Sequence, residues 1–289
     1  MLPDESDRNK KREEYAHSYP DMAHFTVGKS ILGREIDCYR IGEGRRYLLI
    51  VGAHHALEYI TAITLYGFIE FLAEKTTRPT TYCGISLDFL LKKYSYFVIP
   101  ALNVDGIELH LHGCSDSPLC KRQLAMSGGD FSLWQANARG VDLNHNYGYG
   151  FSEYKRLEGE QGIEAGNTRY SGEYPESEPE TRALTNFLRA LAPCAVLSLH
   201  TQGEEIYYHP ANARTERVAA RLARSVGYKT AKCEGLCAYG GLCDFTGETM
   251  GIPSFTVELG RGKNPLDLSW QTNLLGVVKR LLITLPKAL

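Results

Sequence analysis

Apolar positions along the chain follow two rhythms that alternate from end to end. The run Tyr47-Leu48-Leu49-Ile50-Val51 is continuously apolar, as in a strand buried on both faces. In residues 60–74 the apolar positions Ile60, Ile63, Leu65, Phe68 and Leu72 follow the spacing of a one-sided helix. Strand-like runs recur at 36–41, 46–52, 94–100, 194–199 and 254–259, and helical patterns at 178–191, 212–226 and 274–285. Gly42-Glu43-Gly44 reads as the turn joining the first two strands, and Asn103-Val104-Asp105-Gly106 as a tight turn after the third. Residues 110–174 are rich in Gly, Ser and Asn with few regular signals, which suggests functional walls or mobile segments. Strands separated by helices, with no internal repeat, predict an α/β fold around one mostly parallel sheet covered on both faces. Residues 1–21 read as a polar N-terminal extension, frayed or loosely docked, and 22–289 as a single domain.

Composition narrows the function classes. The 289 residues are 43% hydrophobic and 23% charged with net charge −2, as in ordinary globular proteins. No basic block or stripe is evident in the linear sequence, so nucleic acid is not an expected partner. Residues 1–14 are charged and lack a signal peptide's apolar core, and no run is read as approaching the ~18 apolar residues of a membrane span. A cytoplasmic location without membrane contact is expected, and with it free thiols for the eight cysteines. Cys233, Cys237 and Cys243 lack the paired spacing of a structural zinc site.

Candidate chemistry sits where apolar runs end. Gly52-Ala53-His54-His55-Ala56-Leu57-Glu58 leaves a strand and enters a helix, the place where open α/β sheets bind ligands. His55 and Glu58, three residues apart, offer an imidazole nitrogen and a carboxylate oxygen suited to zinc, which in catalytic sites takes three protein ligands. His200 ends another apolar strand and is the third candidate. Glu258 is a lone carboxylate in the run Ser254-Phe255-Thr256-Val257-Glu258, costly in a core strand unless paired or functional. Near zinc, which lowers the pKa of a bound water toward ~7, it would serve as general base and acid. Amide attack also builds an oxyanion, and Arg139 in Asn137-Ala138-Arg139-Gly140-Val141-Asp142 is the candidate cation beside it.

Taken jointly, His55-x-x-Glu58, Gly140-Val141-Asp142-Leu143-Asn144, the strand end at His200 and Phe255-Thr256-Val257-Glu258 resemble, in order, the signature stretches of the zinc carboxypeptidase superfamily. The resemblance implies a three-layer α/β/α fold with a mixed, mainly parallel sheet of about eight strands. It also implies one zinc per chain on His55, Glu58 and His200, with Glu258 as base and acid and Arg139 as the carbonyl-polarising cation.

Two departures bear on substrate. Carboxypeptidases proper carry Asn-Arg where this chain has Asn144-His145, and that arginine grips the substrate's free C-terminal carboxylate, a bidentate contact histidine does not supply. The stretch is instead similar to the bacterial branch that cleaves the γ-D-glutamyl to diamino acid bond of peptidoglycan stem peptides. Gly260, Asn264 and Pro265 resemble that branch too. A protonated His145, Asn144 or Arg139 would then meet the free carboxylate of the D-glutamate. The substrate-capping tyrosine of carboxypeptidases aligns with Leu236, while Tyr239 stands just before Gly240-Gly241 and either substitutes for it or merely packs. Cys243 and Asp244 fall near the floor of the specificity pocket. Three readings follow: a γ-D-glutamyl-diamino acid peptidase acting on muropeptides, a zinc carboxypeptidase or deacylase of small acyl-amino acids, and a metal-free peptide-binding protein.

Overall fold

The computed structural model describes residues 2–75, 80–209, 213–232 and 235–289, with the side chains of residues 75, 236 and 237 excepted. Eight strands form the main sheet: β1 (Ala23–Lys29), β2 (Glu35–Ile41), β3 (Arg46–Gly52), β4 (Tyr94–Ile99), β5 (Ala195–His200), β6 (Glu205–Tyr208), β7 (Lys229–Ala231) and β8 (Ser254–Glu258). Their spatial order is β1-β2-β4-β3-β5-β8-β6-β7. The four central strands β4, β3, β5 and β8 run parallel, while β1, β2 and β6 supply antiparallel pairings toward the edges. β2 and β3, linked through Gly42-Glu43-Gly44, are not neighbours, because β4 inserts between them. A crossover through helices puts β4 there, as parallel pairing requires a long connection.

Alternation along β3 shows why two helical layers form. Leu48 and Ile50 point into one buried cluster with α2 (Ile60–Lys75), and Leu49 and Val51 into a second cluster on the opposite face. The first layer also holds α3 (Leu87–Lys93) and two helices discussed below, and the second holds α4 (Val104–His112) and Pro179–Leu191. Parallel strands therefore need both faces covered, and their sequences read as continuous apolar runs.

Several expectations are corrected. The polar N-terminus is not frayed: Glu5–Ser18 forms α1, capped by Asp4. Tyr15 is buried against Tyr39 and Tyr66, and its hydroxyl donates to Glu70 at 2.9 Å. Asn103 does not make an isolated turn but caps α4, its side chain accepting from the Gly106 amide, since the same side-chain chemistry serves turns and helix N-termini. The 110–174 stretch contains α5 (Cys120–Ser127) and α6 (Phe151–Glu160). After α4 the chain doubles back so that Cys114 and Cys120 lie with Cα atoms 4.9 Å apart and form a disulfide, against the expectation of free thiols. Cys38, Cys83 and Cys194 are free, the Cys243 thiol donates to the Ser254 carbonyl, and Cys233 and the Cys237 side chain lie outside the described residues.

Two surface and core features were also hidden in the linear sequence. The stretch Ala56–Glu74 is long and apolar enough to span a bilayer, yet it is mostly buried here as the central helix of one layer. Arg214, Arg217, Arg221 and Arg224, spaced at helical intervals, share the exposed face of Ala213–Val226 as a basic stripe. The remaining helices in chain order are α7 (Pro179–Leu191), α8 (Ala213–Val226) and α9 (Gln271–Ala288).

Docking of α1 gives a direct test. Tyr15→Ala removes a fully buried aromatic and should lower stability by about 3 kcal/mol, seen as a lower denaturation midpoint at unchanged slope. An unchanged midpoint would mean that α1 contributes nothing to the folded core.

Candidate active site

Three of the parallel strands end at one edge of the sheet, and the candidate ligands lie there. Gly52 at the end of β3 pairs with Leu199, one residue before His200, and Glu258 at the end of β8 lies in register with His200. Beyond β3, Ala53 takes a positive φ of 47° and the chain turns through a short helical turn at Ala56–Glu58 before α2 begins at Ile60. The expected helix start at Glu58 is thus a tighter turn first. Its backbone is fixed from outside: the Ala56 and Leu57 amides donate to the Gln135 and Trp134 carbonyls, and Asn103 Nδ2 donates to the His54 carbonyl.

This arrangement brings His55, Glu58 and His200 together, with one ligating atom of each within 4.8 Å of the others. His55 Nδ1 lies 3.0 Å from Glu58 Oε1 and 3.3 Å from His200 Nδ1, and His200 Nδ1 lies 3.1 Å from Glu58 Oε2. Ligands about 2.0–2.1 Å from a tetrahedral zinc are roughly 3.3 Å from one another, so the spacing suits that ion. The supporting contacts suit it as well. His55 Nε2 faces Asp142 Oδ1 at 3.2 Å, and His200 Nε2 faces Ser198 Oγ at 3.0 Å, so each imidazole is held from behind with Nδ1 turned inward. Ser198 continues to His54 Nδ1 at 3.1 Å, and His54 Nε2 to the Tyr147 hydroxyl at 2.9 Å, a buried polar chain beneath the site. Asn264 Nδ2 donates to the Thr201 carbonyl at 2.8 Å and reaches Glu58 Oε1 at 3.4 Å, while the Thr201 amide donates to Glu58 Oε2.

The electrostatics fit a cation. Burial alone would depress the His55 imidazole, but the Glu58 and Asp142 carboxylates outweigh it and hold His55 well above its usual value. Burial would likewise raise Asp142 and Glu58, and the facing histidines hold both carboxyls below the ordinary range instead. Glu258, with no imidazole as close, is pushed well above that range by burial and then by the Glu58 and Glu205 carboxylates. Three carboxyls, those of Glu58, Asp142 and Glu258, thus gather around these histidines, a donor set that suits a divalent ion.

Other candidates are placed less directly. Arg139 is in the same loop as Asp142, but its guanidinium is turned to Glu178 Oε2 at 3.0 Å and the Ser177 carbonyl at 3.3 Å. Asn144 accepts from the Leu242 amide at 3.3 Å. His145 stacks on Tyr154 with ring centroids 4.2 Å apart, and its Nδ1 donates to the Tyr239 carbonyl at 3.1 Å. Burial pushes its pKa down, against the pull of the Asp142 carboxylate, and so disfavours the protonated form named from the sequence. Tyr239 lies against Gly150, where an added Cβ would come within 2.8 Å of its ring. Asp244 is buried beside His209, whose other nitrogen meets Glu248, and burial raises it to about 6. The Leu236 side chain, at the position that aligns with the capping tyrosine of carboxypeptidases, lies outside the described residues. Asp142, Ser198 and Asn264 were not assigned roles from sequence. The signal for Asp142 was present as a carboxylate inside an otherwise recognisable stretch, whereas Ser198 looked like any polar residue in a strand.

Comparison with known proteins agrees with this geometry. The family described as zinc carboxypeptidase matches residues 10–272. The gamma-D-glutamyl-L-diamino acid endopeptidase 1 of Lysinibacillus sphaericus is 30% identical over 259 residues, covering 87% of this chain and 64% of its own length. This chain thus spans a little under two thirds of that relative. The fold of bovine thrombin-activatable fibrinolysis inhibitor superposes with a TM-score of 0.77 at 20% identity, covering 99% of this chain and 97% of that one. Murein-tripeptide amidase MpaA from Escherichia coli O157 superposes with a TM-score of 0.57 at 19% identity, covering 92% and 91%. With that match extending over most of its length, the chain belongs to the zinc carboxypeptidase family.

Proposed function

We propose that this peptidase hydrolyses the γ-D-glutamyl to diamino acid bond of peptidoglycan stem peptides. The observation that carries the reading is His145: it stands where carboxypeptidases proper place a carboxylate-gripping arginine, and here its ring is pinned to the Tyr239 carbonyl while burial lowers its pKa. A neutral imidazole gives no permanent clamp for a substrate's C-terminal carboxylate, so peptides extended beyond the diamino acid are tolerated. The anion to be recognised is then the free α-carboxylate of D-glutamate, within the reach of Arg139 and Asn144. The names of the Lysinibacillus relative and of MpaA support the same substrate class. Carboxypeptidase action, or deacylation of small acyl-amino acids, is the alternative.

His55, Glu58 and His200 hold one zinc per chain, which when bound supplies Lewis-acid polarisation and lowers the pKa of water. Asp142 fixes the His55 tautomer so that Nδ1 remains the ligating atom. Glu258, at the strand end opposite His200, takes the proton from the attacking water and passes it to the leaving amine. Arg139 stabilises the oxyanion, and Asn144, His145, Tyr239 and Asp244 contact the substrate. A metal-free binding role leaves the whole ligand set and the strand-end Glu258 without use.

Metal content tests the ligand set: the purified protein should hold about one zinc per chain, and His200→Ala should lose it on mild chelation. Equal zinc in both proteins after chelation would remove His200 from the site. The acid-base role has its own readout, since Glu258→Gln should retain zinc while turnover falls by ~10² or more. Near-normal turnover would eliminate Glu258 as the base. For substrate choice, mass spectrometry should find L-alanyl-D-glutamate released from tri- and tetrapeptide stems, with α-linked C-terminal dipeptides cleaved more slowly. The opposite ranking would return the enzyme to the carboxypeptidases, and His145→Arg should shift the wild type toward that behaviour.

A further inference from the structure

Glu178 opens α7 with Pro179 behind it, and from sequence it is only an acidic helix start. Its side chain, however, does not face solvent. The residue is 2% exposed, and its carboxylate is held on both oxygens: Oε1 accepts from Ser177 Oγ at 2.8 Å, and Oε2 accepts from Asn137 Nδ2 at 2.7 Å and Arg139 Nε at 3.0 Å. Its amide donates to Asn146 Oδ1 at 3.1 Å, and Asn146 Oδ1 also accepts from Thr181 Oγ1. Segment 171–181 thereby clamps both ends of the loop that carries Arg139 and Asp142, because Asn146 Nδ2 donates to the Ser171 carbonyl and the Glu176 amide donates to the Asn146 carbonyl.

Arg139 itself is much more exposed than its partner: 39% of its side chain is accessible, against 3% for Glu178. A long side chain on a surface loop samples many rotamers, and a guanidinium that must meet a developing charge gains from being fixed beforehand. Here the Nε and Nη2 side of the fork is occupied by Glu178 and the Ser177 carbonyl, while Nη1 has no polar partner among the described residues. One edge is anchored and the other is presented. A buried charged pair is poor evidence for a stability role, since its desolvation offsets much of its attraction.

The neighbouring charge is arranged to suit this task. Glu180, fully buried one turn-start away, is raised to about 8 by burial and then by Asp105 and Glu178, so at neutral pH it keeps its proton. Glu178 is then the carboxylate that faces Arg139, without a second negative charge competing for the guanidinium.

From this geometry we infer that Glu178 is a positioning residue for Arg139, anchoring the Nε edge of the guanidinium so that the Nη1 edge faces the substrate carbonyl or carboxylate. The inference rests on the role proposed for Arg139. It makes Glu178 act through Arg139 alone, which a double-mutant cycle reads directly. On the faster-cleaved of the stem peptide and the α-linked dipeptide, Glu178→Gln should lower kcat about 10-fold to 100-fold with KM within about twofold and zinc content unchanged. In an Arg139→Ala background the same change should cost less than about twofold. Glu178→Asp, which keeps the charge one methylene shorter, should fall between wild type and Glu178→Gln, and it takes the place of Glu178→Gln in the cycle if the latter does not fold. Losses that multiply in the Arg139→Ala background would overturn the positioning role while leaving that of Arg139 intact. Wild-type kcat in Arg139→Ala would overturn both.

Discussion

Two carboxylates facing one imidazole are the constraint on which the rest of the site depends. Glu58 on one side of His55 and Asp142 on the other lie at 3.0 and 3.2 Å, and His200 is brought within 3.3 Å of the same ring. So dense a set of buried ionisable groups suits a cation among them and depends on satisfied outer contacts. The sheet supplies the first fixed point, because β3, β5 and β8 end together at one edge. The loop from Asn137 to Tyr147 supplies the second, carrying Asp142 to the outer nitrogen of His55. Buried polar residues of that loop, Asn137, Asp142 and Asn146, bond to backbone and side chains that no helix or strand serves. Function thus rests on a loop built like a core.

The legibility of the sequence follows from this division. Central strands such as β3 and β5 could be read because burial on both faces leaves continuous apolar runs. Edge strands could not. β1 has exposed or half-exposed side chains throughout, and β6 and β7 are only a few residues long, so neither alternation nor apolar content marks them. α4 was hidden by its own cap, since Asn103 and Gly106 have the composition of a turn. The candidate metal ligands were legible because a polar residue at the end of an apolar run contrasts with its surroundings. Glu178 and Ser198 were not, because their partners Arg139 and His54 are distant in sequence and pair with no local period.

The substrate wall shows the same principle at a finer scale. Replacing arginine by histidine at position 145 was visible as a change of charge. The structure adds that the ring is stacked on Tyr154 and bonded to the Tyr239 carbonyl, which fixes its position. Gly240, at φ 74°, lets the chain pass against the His145 backbone, where an added Cβ would come within 2.7 Å of the His145 carbonyl. Tyr239 is therefore coupled to His145 by main chain, and its ring position follows from that link.

The central claim is that this edge of the sheet is a prebuilt zinc site whose ligating atoms are His55 Nδ1, a Glu58 carboxylate oxygen and His200 Nδ1. Diffraction from crystals of the zinc-loaded protein, collected on both sides of the zinc absorption edge, tests it most directly. The account predicts one strong anomalous peak within about 2.0–2.2 Å of those three atoms, with Asp142 still on His55 Nε2. A peak bound elsewhere, or bound to either histidine through Nε2, would contradict it.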